Sequence, residues 1–286
     1  MKTLENEWIV LKTTPQAGQM LSIYDKIKER ELLYQGDEGW SGRNPSLFPM
    51  VGSTWKEGEY EIDGQTYRMK NHGLIRYANL NEEEKDGAII YTFDSDEETK
   101  KHYPFDFHYE MKYTIDGSKV TIDYSITNTG DKPMPFSFGL HPAFKTSQSE
   151  EEKFEDFSLE FFDKGECQQI VFYPDLRPVE RRTVDLSEWQ LSRKDLEEYA
   201  TLVYENPKVT RALLKYRDEP RMAMNFTGYP YLALWSHPTP SDFVCIEPWY
   251  GHADFEKVEV PFEKREGTEI LEPHQTFKAS YSIEAL

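Results

Sequence analysis

The chain has 286 residues and a formal net charge of −19, from 52 acidic and 33 basic residues. This excess of negative charge argues against nucleic acid or an anionic membrane as the main partner, because both would repel the protein. No run approaches the roughly 18 apolar residues of a membrane span, and no signal peptide is expected. Cys167 and Cys245 lack metal or redox spacing and favour a reducing compartment, so a cytoplasmic location is expected.

Short segments with alternating apolar residues, separated by tight turns, dominate the sequence. Three Asp-Gly pairs, at residues 63–64, 86–87 and 116–117, lie between such segments. Asp-Gly between alternating segments is a strong hairpin signal, because glycine tolerates a positive φ in the turn. The C-terminal segment is predicted to be a strand with one face made by Phe277, Ala279, Tyr281 and Ile283.

Helical signals are scarce. The best one follows Ser192, whose side chain could cap a helix of one or two turns with Asp195 in its first turn. Leu196 and Ala200 would share one face of this helix. Many evenly spaced strands and an aromatic content of 14% predict an all-β chain. No break in composition divides it, so residues 1–286 are predicted to form one large antiparallel β-sandwich domain.

Four segments place polar groups with Gly or Pro in apolar surroundings. In the first, residues 43–49, the planar guanidinium of Arg43 suits hydroxyl, carboxylate or phosphate groups, and Asn44 follows it. An arginine read alone is equally compatible with a surface ion pair. In the second, residues 71–76, Gly73 marks a sharp turn that would leave the His72 imidazole at a sheet edge, with Arg76 just beyond.

The third and fourth segments carry candidate proton-transfer groups. In residues 136–144, His141 follows an aromatic strand and is restricted by Pro142. Taken singly, each histidine is also compatible with a structural role. In residues 243–249, an apolar strand ends in Glu247. A buried carboxylate is costly unless it is paired or functional, and burial would raise its pKa toward a value useful in proton transfer. The alternative is an inert carboxylate in water at the strand end.

Other chemical signals are weak. The sequence has no glycine loop for phosphate and no Gly-x-Ser-x-Gly nucleophile elbow. His102 and His108 do not form a convincing metal pair, so neither a metal nor a cofactor is expected. Trp235 and Trp249 could stack on the face of a sugar, although packing in the core explains them as well.

In order and spacing, these four segments resemble the aldose 1-epimerase (galactose mutarotase) family, in particular its divergent bacterial branch. The resemblance spans about residues 18–283. It implies a large twisted antiparallel β-sandwich, a galactose mutarotase-like supersandwich, with an open sugar groove and no cofactor. It further implies that Glu247 is the general base, that His141 is the general acid that protonates the ring oxygen, and that His72 supports that oxygen. Arg43 would bind sugar hydroxyls.

The resemblance leaves the substrate open. Asn44, Arg76, Trp235 and Trp249 are the further substrate-binding candidates. Better-known members place an aspartate in mid-chain against the sugar, and here Tyr199 falls near that position. The nearest alternative is a hexose-6-phosphate 1-epimerase in which two arginines, at 43 and 76, clamp the phosphate. A sugar-binding protein without catalysis is a second alternative. A glycoside hydrolase is a third, but it would need two carboxylates. A monomer or a homodimer is expected.

Overall fold

The computed structural model describes residues 1–37, 40, 44–163, 165–237 and 241–286. Strands make up most of the regular structure in these ranges. In chain order they are β1 (Lys2–Glu5), β2 (Ile9–Thr13), β3 (Met20–Asp25), β4 (Arg30–Glu31), β5 (Ser46–Leu47), β6 (Glu59–Ile62), β7 (Gln65–Arg68), β8 (Asn81–Lys85), β9 (Ala88–Asp94), β10 (Phe107–Asp116), β11 (Lys119–Asn128), β12 (Met134–Phe136), β13 (Phe138–Leu140), β14 (Ala143–Lys145), β15 (Phe157–Phe162), β16 (Glu166–Val171), β17 (Glu180–Asp185), β18 (Glu188–Gln190), β19 (Leu202–Glu205), β20 (Arg211–Tyr216), β21 (Glu219–Phe226), β22 (Tyr231–Trp235), β23 (Phe243–Tyr250), β24 (Glu269–Leu271) and β25 (Thr276–Ala285).

Helices are few and short. Within the described ranges the two α-helices are α1 (Glu97–Lys100) and α2 (Arg193–Tyr199), and 3₁₀ turns cover Ile75–Tyr77, Phe154–Asp156 and Phe262–Lys264. The predicted helix after Ser192 is therefore confirmed as α2, and the Ser192 hydroxyl accepts a hydrogen bond from the Asp195 N–H at 3.2 Å. Leu196 is buried as predicted, but Ala200 is exposed and ends the helix at φ 57°.

Two large antiparallel sheets form the body of the molecule. The larger has nine strands in the order β18-β15-β20-β21-β25-β11-β10-β9-β8. The second has eight strands, seven in the order β17-β16-β19-β22-β23-β13-β5, with β14 paired to β23. Smaller sheets are formed by β1 to β4, by β6 with β7 and by β12 with β24. The all-β antiparallel sandwich predicted from the alternating pattern is confirmed.

One aromatic-rich core lies between the two large sheets. Along β10 the buried side chains are every second residue, from Phe107 to Tyr113, and they face the core from the nine-stranded sheet. Val244 and Ile246 reach the same core from β23 of the eight-stranded sheet. Because side chains alternate across a strand, the residues of β23 that lie between these, Cys245 and Glu247 among them, face outward. Organisation of residues 1–286 as a single domain stays a prediction.

The predicted hairpins are all present, with one shift of the turn. The pairs at residues 63–64 and 86–87 are two-residue loops between paired strands, and all four residues have positive φ, as a type I′ turn requires. At the third site Asp116 pairs with Lys119, so the loop is Gly117-Ser118 rather than Asp-Gly. The C-terminal strand also has the predicted inner face, with Ala279, Tyr281 and Ile283 buried.

Candidate active site

A groove with a volume of about 1400 Å³ lies on the outer face of the eight-stranded sheet. Glu247 and Trp249 of β23 line this groove, whereas Val244 and Ile246 of the same strand pack in the core. The alternation of one strand thus separates the groove from the sandwich interior. The rim is made by loops that include residues 52–55, 68–72, 172–174, 197–201 and 253–255.

The register of the sheet puts His141 across from Glu247. On one side of His141, β13 pairs with β23 through Gly139 and Trp249, and on the other side β14 resumes pairing in the same register. Pro142, which has no N–H, lies in the interruption, and its carbonyl accepts a hydrogen bond from β23. His141 Nδ1 lies 3.6 Å from Glu247 Oε1. The two side chains are 8% and 3% exposed, so the structure forms a buried acid–base pair on the groove wall.

His72 joins this pair from a different part of the chain. Its backbone is left-handed at φ 67°, and its N–H donates to the Gly52 carbonyl at 2.7 Å. The Gly52 N–H in turn donates to His72 Nδ1 at 3.0 Å, so Nδ1 is an acceptor and the neutral ring carries its proton on Nε2. The His72 and His141 rings meet edge to face with centroids 5.4 Å apart. His72 therefore offers the groove a fixed N–H donor.

The turn that holds His72 depends on Gly73. Gly73 has φ 81°, and a Cβ built there would lie 2.3 Å from the carbonyl oxygen of Phe48. That oxygen accepts hydrogen bonds from the N–H groups of Leu74 and Ile75, at 2.7 and 3.2 Å. Only glycine fits both the backbone angle and the close approach, which explains locally why the sequence has His-Gly at this position.

Burial shifts the proton equilibria of these groups in a consistent direction. Burial raises the pKa of Glu247 well above its usual value, although the nearby Trp249 indole N–H and the Arg76 guanidinium oppose the shift. Burial, with a further contribution from Arg76, lowers the pKa of His141 to about 3. The pKa of His72 is also lowered, by burial first and then by His141 and Arg76. These shifts favour the form of the pair in which Glu247 holds the proton beside a neutral His141, and they favour a neutral His72.

Aromatic side chains form one wall beside the pair. Trp235 lines the groove with its ring centroid 5.5 Å from that of His141, and the Trp40 ring stacks on His141 at 5.8 Å. Trp249 also lines the groove but is only 5% exposed. Trp235 and Trp249, predicted to bind substrate, thus both line the groove. Trp40 is a third tryptophan in the groove, and it was not predicted. Its place next to the first polar segment is the only sequence signal for it.

Of the two polar binding candidates that the structure describes, one lies in the groove. Arg76 lines it, and its guanidinium carbon lies 5.9 Å from the centre of the Tyr77 ring. Asn44, predicted to bind substrate, does not line the groove. It is buried, and its amide donates to the Met20 carbonyl at 3.0 Å and accepts from the Ala143 N–H at 2.8 Å. It thus holds the chain two residues after His141. Arg43 lies outside the described residues.

Two rim loops are joined by contacts that the sequence does not predict. The Asp254 carboxylate accepts from the Trp55 backbone N–H at 3.0 Å and forms a nearly buried ion pair with Arg265. The Trp55 indole N–H donates to the Val258 carbonyl at 2.7 Å. A local sequence pattern cannot predict these hydrogen bonds of Trp55, because their partners lie 199 or more positions away in the chain. Tyr199, which falls near the position of the family's mid-chain aspartate, lines the groove.

The sequence of this chain is similar to those of known proteins. The family described as aldose 1-epimerase matches the sequence over residues 3–284. The chain belongs to the aldose 1-epimerase family. Plasmid-encoded protein LacX of Lactococcus lactis subsp. lactis is 30% identical over 296 residues, covering 99% of this chain and 98% of LacX.

Solved structures of proteins described as related to galactose mutarotase have the same fold as this chain. A galactose mutarotase related enzyme from Lactobacillus acidophilus superposes with a TM-score of 0.92 at 26% identity, covering 100% of this chain and 97% of that one. A galactose mutarotase-like protein from Lactobacillus casei superposes with a TM-score of 0.91 at 22% identity, with full coverage of both chains. The chain therefore has the galactose mutarotase-like fold of this epimerase family. No helix within the described ranges is long and apolar enough to cross a membrane.

Proposed function

We propose that this protein is an aldose 1-epimerase that interconverts the α and β anomers of an aldohexose bound in the groove. The observation that carries the proposal is the buried pair of Glu247 and His141, 3.6 Å apart, with the His72 ring beside it. Ring opening of a cyclic sugar needs one base at the anomeric hydroxyl and one acid at the ring oxygen. Each positioned proton-transfer group typically contributes about 10²–10⁴-fold to such a rate.

The proposed reaction balances within the pair. Glu247 as carboxylate takes the proton from the anomeric O1, the C1–O1 double bond forms as the C1–O5 bond breaks, and protonated His141 gives its proton to O5. His72 Nε2–H supports O5 with a hydrogen bond. Rotation about C1–C2 exposes the other face of the aldehyde, and reversal of both transfers closes the other anomer. The pair begins and ends with one proton, so no proton is exchanged with water.

The pair can hold its proton in two ways that differ by one transfer across 3.6 Å. Burial favours the form with neutral Glu247 and neutral His141, while the proposed direction uses the carboxylate and the imidazolium. When a sugar binds, its hydroxyl groups place polar atoms beside the pair. Hydrogen bonds from these groups favour the form with a Glu247 carboxylate and a His141 imidazolium. Because the two forms are coupled, the pH dependence of the rate belongs to the pair rather than to either residue.

The test is exchange NMR between α and β anomers at equilibrium, with purified protein added to glucose or galactose. Glu247→Gln should lower the enzyme-catalysed exchange by at least about 10²-fold. Glu197→Gln is the matched control, because it makes the same change at an exposed carboxylate on the groove rim and should leave the rate within about twofold. Unchanged exchange in Glu247→Gln would remove the base assignment. No acceleration by the wild-type protein on any sugar would favour a binding protein.

A second candidate function, a hexose-6-phosphate 1-epimerase, is favoured by one feature of the charge distribution. Arg76 and Lys70 both approach the Tyr77 ring at the groove, and within the described part of the chain neither forms an ion pair with a carboxylate. Cations without such partners suit an anionic substrate. If the substrate is a sugar phosphate, exchange is faster on glucose 6-phosphate than on glucose, and Arg76→Gln raises KM for the phosphate alone.

A further inference from the structure

Three different metal-ligating side chains meet beneath the groove. A ring nitrogen of His141, the sulfur of Cys245 and a carboxylate oxygen of Glu247 all lie within 4.8 Å of one another. Cys245 and Glu247 are two apart on β23 and therefore project from the same face of the strand. The mechanism uses His141 and Glu247 but gives no role to the thiol.

The spacing is close to what a bound cation requires. Three atoms no more than 4.8 Å apart lie within about 2.8 Å of a common point, whereas Zn²⁺ binds nitrogen and oxygen at about 2.0–2.2 Å and thiolate sulfur at about 2.3 Å. Small side-chain rotations close that difference. A fourth tetrahedral position would remain for a water molecule.

All three side chains are buried. His141 is 7% exposed, and its Nδ1 has no hydrogen-bond partner among the described residues. Cys245 is fully buried and free, and it packs against the aromatic rings of Tyr34 and Phe243. A buried ring nitrogen without a partner, aimed at a carboxylate and a thiol, is the kind of group that a ligand completes.

Charge and ligand softness select the cation. One thiolate, one carboxylate and one neutral imidazole around a dication give no net charge, which a buried site tolerates best. Thiolate and imidazole favour Zn²⁺ or Cd²⁺, whereas Mg²⁺ and Ca²⁺ prefer oxygen ligands. Binding releases the thiol proton and the proton held between His141 and Glu247, so no redox step is needed.

We propose that His141, Cys245 and Glu247 form a binding site for a soft divalent cation such as Zn²⁺, and that occupation of this site blocks the epimerase. The inhibition rests on the proposed function, because the cation takes the lone pairs of both proton-transfer groups. The binding itself does not rest on it. The cation also occupies the place of the sugar, so sugar and metal compete.

The test uses the full chain, freed of metal by a chelator, and two readouts. Titration with Cd²⁺ should produce the ultraviolet absorption of a Cd²⁺–thiolate bond at one equivalent, and Zn²⁺ but not Mg²⁺ should slow anomer exchange. In Cys245→Ala the absorption is lost and the concentration of Zn²⁺ for half inhibition rises at least about tenfold, since even outer partners of metal ligands change affinity 10–100-fold. Basal exchange stays within about twofold, because Cys245 does not line the groove.

The matched control is Cys167→Ala, which removes the other buried free thiol from β16 and should change neither readout. Thermal unfolding verifies that both variants are folded, and relief of Zn²⁺ inhibition by saturating sugar tests the same site without any substitution. Equal metal sensitivity in the wild type and Cys245→Ala would overturn the proposal, as would absence of the absorption in the wild type. Metal absorption that depends on Cys245 in a protein without epimerase activity would keep the site and refute only the proposed function.

Discussion

Gly73→Ala is expected to destabilise the protein and to disable the site through His72. The new Cβ would lie 2.3 Å from the Phe48 oxygen, 2.5 Å from its carbonyl carbon and 2.8 Å from the nitrogen of Pro49, all of them backbone atoms. A left-handed alanine costs about 1 kcal/mol relative to glycine, and overpacking of this kind adds about 1–3 kcal/mol. The expected loss in the free energy of unfolding is therefore about 2–4 kcal/mol.

Gly64→Ala separates the two contributions. Gly64 has nearly the same backbone angle, φ 73°, but a Cβ there would meet nothing within 4 Å. It should lose only about 1 kcal/mol and keep its exchange rate. Urea unfolding measures both free energies, and exchange NMR measures both rates, with kcat/KM of Gly73→Ala expected to fall at least about tenfold because His72 is displaced. If the two variants differ by less than about 0.5 kcal/mol, the close approach at Gly73 does not constrain the turn.

Three further predictions follow from the buried titrating groups. Because burial raises the pKa of Glu247 in the folded state, the free energy of unfolding falls as pH rises above about 4.5. In urea unfolding, Glu247→Gln should therefore be about 0.5–2 kcal/mol more stable than the wild type at pH 8, but not at pH 4. Because burial lowers the pKa of His141 to about 3, the folded state resists protonation. The free energy of unfolding therefore declines from pH 6.5 toward 3 by up to about 5 kcal/mol, and His141→Gln should flatten that slope. With a chelator present, kcat/KM should show no transition near pH 6.5, the ordinary value for histidine, and a transition there would contradict the one-proton pair.

The sheets could be predicted from the sequence because their signals are local. Alternation between residues 107 and 128 and the Asp-Gly turns are properties of neighbouring residues, and they fix which face of each strand is buried. The turn at Gly117-Ser118 shows the limit of such signals, because cross-strand pairing of Asp116 with Lys119 moved it by one residue. Propensity favours a hairpin there, but register is decided by the whole ladder.

The sequence indicated the three polar side chains that the structure brings together, but not the contacts that hold them. Glu247, His141 and His72 were nominated because each follows an apolar or glycine-marked segment where a polar group is unexpected. Asn44 was misassigned, since an amide that bonds two backbone groups and an amide that binds a sugar look the same in one sequence. The ion pair of Asp254 with Arg265 has no local signature, because a tertiary contact decides it.

The site is held by two kinds of constraint, and they have different consequences for substrate choice. Glu247 and His141 are fixed by the register of one sheet, so moving either requires slipping a ladder whose other face is core. The rim around them consists mainly of loops held by side-chain contacts, such as those of Asp254 with Trp55 and Arg265. Loops tolerate substitution far better than paired strands do. The proton-transfer chemistry is therefore expected to persist while residues of the rim, Arg76 among them, determine which sugar enters.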